Sequence, residues 1–335
     1  MTNQDFRTAL DKFAQSHPTE MEYAQSDFSS WQSEFKKNVF KLRGREIKRL
    51  PLKFHMEPKE NAGAHTRRKV LIDATEVSAA AGYLLVPKSR RKKYPALIAS
   101  PGHYQFGKDT VAGLPCAGSE LRANPGSDYG RAAVEAGYVV FVPDWWGWGD
   151  KCAHLEAVGP VRDRCNVIQM AASMYGFSVL YLHMLEAGAI IDYLESLDIV
   201  DSSRIGIIGN SYGGRTAMWI GAFNGKIKCV VSAGAMNLFS ERAASLSSCA
   251  IQYFPGILQY GDVGEIYSLI APRPLQLQAG YEDVLIVSAN HDKIAEIVKK
   301  AYQAVDKADN LNIEFFHGGH TLNWPLAEKF LSKHL

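Results

Sequence analysis

Five cysteines in 335 residues (Cys116, Cys152, Cys165, Cys229 and Cys249) are odd in number and contain no CxxC pair. That argues against a disulfide framework and against a structural zinc site. They read as reduced, mostly buried thiols of a cytoplasmic protein. Charge of one sign is not in excess either: 37 basic and 35 acidic residues leave a net +2. Neither a nucleic acid nor an anionic membrane is therefore expected as partner. No run of about 18 or more apolar residues is present, so no membrane-spanning helix is expected. The opening MTNQDFRTALDKFAQSH lacks the basic start and apolar core of a secretory leader. Internal repeats and low-complexity tracts are absent. What is there is an ordinary globular composition, 47% hydrophobic and 21% charged, enough for a large buried core. The length exceeds the usual single domain of about 100–200 residues, but one α/β sheet covered on both faces reaches it.

Residues 1–45 read as a polar helical arm or cap, with Phe6, Leu10 and Phe13 and then Phe28, Trp31, Phe35 and Phe40 at helical spacing. IKRLPLKFHM (47–56), RRKVLIDATE (67–76) and SAAAGYLLVP (78–87) read as strands, the last two as an antiparallel hairpin. The pattern then changes. PALIAS (95–100), YVVFVP (138–143), RIGIIG (204–209), KCVVSAG (228–234), PLQLQAG (274–280) and LNIEFF (311–316) are short continuous apolar runs, as parallel strands buried on both faces require. Helical stretches fall between them at 128–136, about 175–197, 212–223, 290–308 and 326–334. The expected architecture is one doubly wound, mostly parallel sheet spanning 46–335, with antiparallel strands at its start. An insertion at about 144–174 is long enough to be a lid or substrate wall. The run Arg90-Arg91-Lys92-Lys93 reads as a solvated loop, because it has no aromatic interleaving.

Gly209-Asn210-Ser211-Tyr212-Gly213 is a GxSxG placed between a strand and a helix. A serine on such a sharp turn is exposed above the sheet in a strained backbone conformation, and the flanking glycines let strand and helix cross closely. An ordinary N-cap serine does not need those glycines. Ser211 is thus the candidate nucleophile, and a serine hydroxyl needs a histidine base oriented by a carboxylate. Tyr281-Glu282-Asp283 follows the strand PLQLQAG and supplies two carboxylates, either of which could serve. Four histidines follow them; His317-Gly318-Gly319-His320, after the last strand, has the glycines to bring an imidazole over the sheet edge. His320 is the expected base and His317 the runner-up. The pair could also suggest a metal, but no third ligand stands at recognisable spacing, so neither metal nor cofactor is expected. The oxyanion donors are expected to be the backbone N–H groups of Tyr212 and of His103 in Pro101-Gly102-His103-Tyr104, with Tyr104 as substitute.

SPGHYQFGKD, GNSYGG, CAIQYFPGILQYGDVGEIYSLIAPRPLQLQAGYED and FFHGGHTLN together resemble the acetyl xylan esterase and dienelactone-hydrolase-like branch of the α/β-hydrolases, over residues 65 to 325 or so. IAPRP before the acid strand and GGH after the last strand are the more specific parts. The resemblance implies the α/β-hydrolase fold, Asp283 as the triad acid and His320 as the base. Two loops depart from it: Pro101-Gly102 replaces the usual His-Gly, and Trp145-Trp146-Gly147-Trp148-Gly149 replaces an RGxG. Trp145, Trp146 and Trp148 with Tyr104 and Tyr212 are expected either to wall the substrate pocket or to pack in the core. The expected function is hydrolysis of a small-molecule carboxylic ester, with acetyl as a typical acyl group, through an acyl-enzyme on Ser211. The alternatives are a lactonase, an amidase, carbon–carbon bond cleavage or an acyltransferase on the same fold, and beyond those a non-enzymatic scaffold, against which an intact triad argues. A homo-oligomer is compatible with the sequence.

Overall fold

The computed structural model describes residues 6–23, 27–89, 91–152, 161–241 and 248–335. Its centre is a ten-stranded sheet. The strands are β1 (Phe54–Met56), β2 (Glu60–Ala62), β3 (His65–Asp73), β4 (Ala79–Pro87), β5 (Tyr94–Ser100), β6 (Val139–Asp144), β7 (Val200–Asn210), β8 (Cys229–Ala233), β9 (Leu275–Gly280) and β10 (Leu311–Phe316). They run in the order β1-β3-β4-β6-β5-β7-β8-β9-β10, with β2 paired to β3. The pairs among β1, β2, β3 and β4, and β4 with β6, are antiparallel; from β6 through β10 every pair is parallel. β5, β6, β8 and β9 are buried along their whole length. That is why their sequences are continuous apolar runs rather than alternating ones.

The helices are α1 (Phe6–Ser16), α2 (Phe28–Lys41), α3 (Lys108–Val111), α4 (Gly118–Ala123), α5 (Tyr129–Glu135), α6 (Val161–Met174), α7 (Val179–Ser196), α8 (Tyr212–Phe223), α9 (Val263–Ser268), α10 (Ala289–Ala304) and α11 (Trp324–His334). Helices cover both faces, and each face has its own hydrophobic core. α7 and α8 are buried nearly all round, as helices enclosed by other elements are. Among the described residues no helix is long and apolar enough to cross a membrane.

The residues expected to form an arm divide in two. α2 buries Phe28, Trp31, Phe35 and Val39, and Gln32 Nε2 donates to the carbonyl of Ala271 at 2.8 Å. α1 buries nothing and leaves Phe6 and Phe13 exposed. The strand expected over 47–56 shrinks to β1. Its first part still lies along β3, with Leu50 N–H donating to Ala74 O and Asp73 N–H to Lys53 O. Pro51 has no N–H to continue the ladder, so regular pairing starts only after it. Of the basic run, Arg90 lies outside the described residues; Arg91, Lys92 and Lys93 are exposed. Of the insertion at 144–174, residues 153–160 lie outside the described residues, and 161–174 is α6 rather than loop.

Candidate active site

Ser211 stands between the end of β7 and the first turn of α8, at φ 60° and ψ −121°. A non-glycine residue at positive φ is strained and persists only where its surroundings enforce it. Here they do. A Cβ on Gly213 would lie 1.9 Å from Ser100 O, and one on Gly209 2.3 Å from the Gly213 carbonyl carbon. Strand and helix therefore cross at a separation that only glycine allows. Ser211 N–H is held by Ala233 O at 2.9 Å.

Asp283 follows β9 and His320 follows β10. The loop 317–320 passes over the end of β9 so closely that a Cβ on Gly280 would lie 2.2 Å from Gly318 O. His320 Nδ1 is 2.7 Å from Asp283 Oδ2, and the Asp283 side chain is 1% exposed. Its other oxygen, Oδ1, accepts the Leu285 N–H at 2.9 Å, so the carboxylate is fixed at both ends. His320 Nε2 is buried and has no hydrogen-bond partner among the described residues. Glu282 points elsewhere: it is exposed, accepts the Gly318 N–H, and faces His317 Nδ1 at 3.3 Å. Those contacts hold the Glu282 carboxyl below its ordinary range, the Gly318 N–H contributing most and His317 next. The two neighbouring carboxylates thus hold two different histidines, and His317 and His320 do not converge.

The third loop follows β5. Gly102 touches the Ser211 turn: a Cβ there would stand 3.0 Å from Asn210 O and 3.2 Å from Ser211 Cβ. Among the described residues, neither His103 N–H nor Tyr212 N–H is hydrogen-bonded to a protein atom. His103, Ser211, Tyr212, Arg215, Gly234, Asn237, Gln252, Leu285 and His320 line one cavity of about 20 Å³, room for a single water-sized group.

The tryptophan loop does not line that cavity; of the residues expected as its wall Tyr212 does, while Trp145, Trp146, Trp148 and Tyr104 are placed elsewhere by packing. Trp145 and Trp148 are fully buried. Trp145 Nε1 donates to Ser100 Oγ at 2.9 Å, and Trp148 stands edge-on to the Tyr212 ring, centroids 5.1 Å apart. Tyr104 is buried beside the Ser211 turn, its hydroxyl accepting from Asn210 Nδ2 at 3.1 Å; burial pushes its phenol up to about 12. Trp146 is half-buried and borders a different groove of about 440 Å³ beside β3 and β4, whose lining shares no residue with the Ser211 cavity.

Charges that the sequence did not reveal as a unit hold this loop. Asp144 accepts from Lys108 N–H and from Lys108 Nζ, both at 2.8 Å, and from Asp150 N–H at 2.9 Å. A Cβ on Gly107 or Gly149 would lie 2.3 or 2.1 Å from Asp144. Burial alone would lower the Lys108 ammonium, but Asp144, with Asp109 and Asp150, raises it above the usual lysine range. His183, near the start of α7, was also invisible as a functional neighbour. Its Nε2 accepts the Trp146 N–H at 3.1 Å, so Nδ1 carries the proton toward Tyr212 Oη at 2.7 Å. Burial, aided by Lys151, keeps that imidazole neutral. The side chain of Tyr212 is thereby fixed between α7 and the tryptophan loop. Asn210 and Asn237 act similarly on the loops: Asn210 Nδ2 reaches His320 O at 3.3 Å, and Asn237 bonds Leu285 O and Val287 N–H.

A family model described as an Abhydrolase family matches residues 6–322. The curated protein "Putative hydrolase YtaP" of Bacillus subtilis (strain 168) is 25% identical over 299 residues, covering 86% of this chain and 93% of that one. Among solved structures, the "putative acetyl xylan esterase" of Bacteroides fragilis superposes with a TM-score of 0.76 at 17% identity, over 93% of this chain and 82% of that one. The glucuronoyl esterase of Solibacter usitatus does so with a TM-score of 0.70 at 16% identity, over 95% and 96%. At these identities the two structural matches speak to the fold.

Proposed function

The chain belongs to the Abhydrolase family, and on that premise we propose that it is a serine hydrolase cleaving a carboxylic ester of a small acyl group, acetyl above all, through an acyl-enzyme on Ser211. One observation carries this reading. His320 is held at Nδ1 by a buried carboxylate, has an unpaired Nε2, and shares a cavity with a serine strained into positive φ.

In the proposed cycle His320 Nε2 takes the Ser211 hydroxyl proton as Oγ attacks the ester carbonyl carbon. The carbonyl oxygen becomes an oxyanion and accepts from Tyr212 N–H and His103 N–H, the two unshared donors beside the turn. The imidazolium then protonates the departing alcohol, leaving the acyl group on Oγ. Water enters, gives a proton to His320 and attacks the acyl carbon, and collapse returns the proton to Ser211 while the acid leaves. Asp283 fixes the tautomer that makes Nε2 the acceptor and stabilises the imidazolium. Every protein group in this cycle ends as it began.

The narrowness of the cavity supports the small acyl group, and the acetyl xylan esterase among the structural neighbours fits it. The free cysteines favour a reducing compartment such as the cytoplasm. The test is a series of p-nitrophenyl esters of rising chain length. A filled pocket resists added methylenes at about 1 kcal/mol or more, so kcat/KM should fall about tenfold or more from acetate to butyrate. Equal or faster turnover of the longer esters removes the small-acyl reading. Turnover of lactones or amides but of no ester overturns the ester reading.

A further inference from the structure

His103 has a second set of neighbours on the side of its ring. Its Nε2 lies 3.0 Å from Cys249 Sγ, and Cys165 on α6 brings a third donor atom, so that His103 Nε2, Cys165 Sγ and Cys249 Sγ all lie within 4.8 Å of one another. We propose that these three side chains form a binding site for a thiophilic divalent cation, Zn²⁺ or an ion of the same preference, in the wall of the Ser211 cavity.

The donor set is the first reason. Two thiolates and one imidazole suit Zn²⁺, and three protein ligands leave a fourth position for water or an anion. The second reason is spacing. Zn–S bonds of about 2.3 Å and Zn–N bonds of about 2.0–2.1 Å place tetrahedral ligand atoms about 3.5–3.8 Å apart. The present set brackets that separation, from 3.0 Å up to less than 4.8 Å, so side-chain shifts of about 1 Å or less suffice.

The surroundings are the third reason. Both cysteines are buried while His103 is half-buried and lines the cavity, which gives an ion a way in. Gln252 Nε2 donates toward Cys249 Sγ at 3.6 Å, an outer contact of the kind that orients a metal ligand. Nothing in the proposed hydrolytic cycle uses either sulfur. Binding exchanges thiol protons for the ion, so each metal bound releases up to two protons.

Co²⁺ is the probe, because cobalt bound by thiolates gives an intense charge-transfer absorption that oxygen and nitrogen ligands do not. Full-length protein is stripped with chelator, kept reduced with a phosphine, and titrated. The expected result is a thiolate-to-cobalt band saturating at one ion per chain and reversed by Zn²⁺. Cys165→Ala and Cys249→Ala, checked by their thermal transitions, should each lose the band, whereas His320→Ala should keep it. Absence of the band in the wild-type protein overturns the proposal without touching the hydrolase reading, and so does its persistence in a folded Cys165→Ala. If Cys249→Ala fails to fold, the wild-type spectrum and Cys165→Ala still decide.

Discussion

Replacing Asp283 by asparagine changes one atom of the site and should cost most of the activity. Asp283 Oδ1 already accepts the Leu285 N–H at 2.9 Å, and Oδ2 faces His320 Nδ1 at 2.7 Å. An asparagine has one acceptor for these two donors. If its oxygen stays with Leu285, its NH₂ faces His320, and Nδ1 can then only accept. The imidazole proton moves to Nε2, the atom that has to take the Ser211 proton. The Asp283 side chain is 1% exposed, so water has no room to replace the lost acceptor. Wrong-tautomer substitutions of this type cost about 10⁴ in kcat, about 5.4 kcal/mol at about 1.36 kcal/mol per tenfold. Glu282→Gln is the internal control: an exposed carboxylate paired with His317 should matter less than about twofold. The assay is steady-state hydrolysis of p-nitrophenyl acetate by wild type and the two variants. Asp283→Asn within about tenfold of wild type, or Glu282→Gln as damaging as Asp283→Asn, refutes the reasoning.

Two further substitutions test the frame around the site. Lys108→Met leaves Asp144 buried without its counter-ion, and urea unfolding should show a loss of about 3–5 kcal/mol; a loss under about 1 kcal/mol would mean the tryptophan loop is not held by this pair. Glu265, 2% exposed in the capping box of α9, is raised by burial from 4.5 to about 7. A carboxylate raised on folding contributes stability in full below its unfolded value, and that stability is lost as pH rises through the folded value. The interval at about 1.36 kcal/mol per pH unit amounts to about 3 kcal/mol. Glu265→Gln keeps an oxygen for the Asp262 N–H and should therefore gain on wild type by about that much between pH 4 and pH 8. A difference between the two proteins that does not vary with pH rules this out.

The sheet was legible where its strands are buried on both faces, because β5, β6, β8, β9 and the 205–210 end of β7 are short runs without exposed positions. It was less legible at the edge. β2, spelled Glu-Asn-Ala, has no strand character of its own and forms only because it hydrogen-bonds to β3, while Pro51 cut short a segment whose apolar residues promised a longer strand. The strand-to-helix turn at Ser211 was readable because Gly209 and Gly213 are there for steric reasons that leave no alternative residue. Choosing between Glu282 and Asp283 was beyond residue types, since both follow the same strand and only the path of the 317–320 loop separates their partners. The tryptophans were ambiguous for the same reason: an indole that walls a pocket and one that fills a core look alike in sequence, and here Trp145 and Trp148 fill the core. His183 gave the signal of a lone histidine on an apolar helix, which in most proteins means only a satisfied core residue. Cys165 and Cys249 gave none, because their approach depends on α6 lying beside the short helix at Ala250–Gln252.

The central claim is that Ser211 is the nucleophile, and covalent trapping tests it most directly. A fluorophosphonate should add once per chain, peptide mapping should place the adduct on Ser211, and Ser211→Ala should take up no label and hydrolyse no ester while keeping the wild-type thermal transition. An adduct on another residue, or esterase activity surviving in a folded Ser211→Ala, would contradict it.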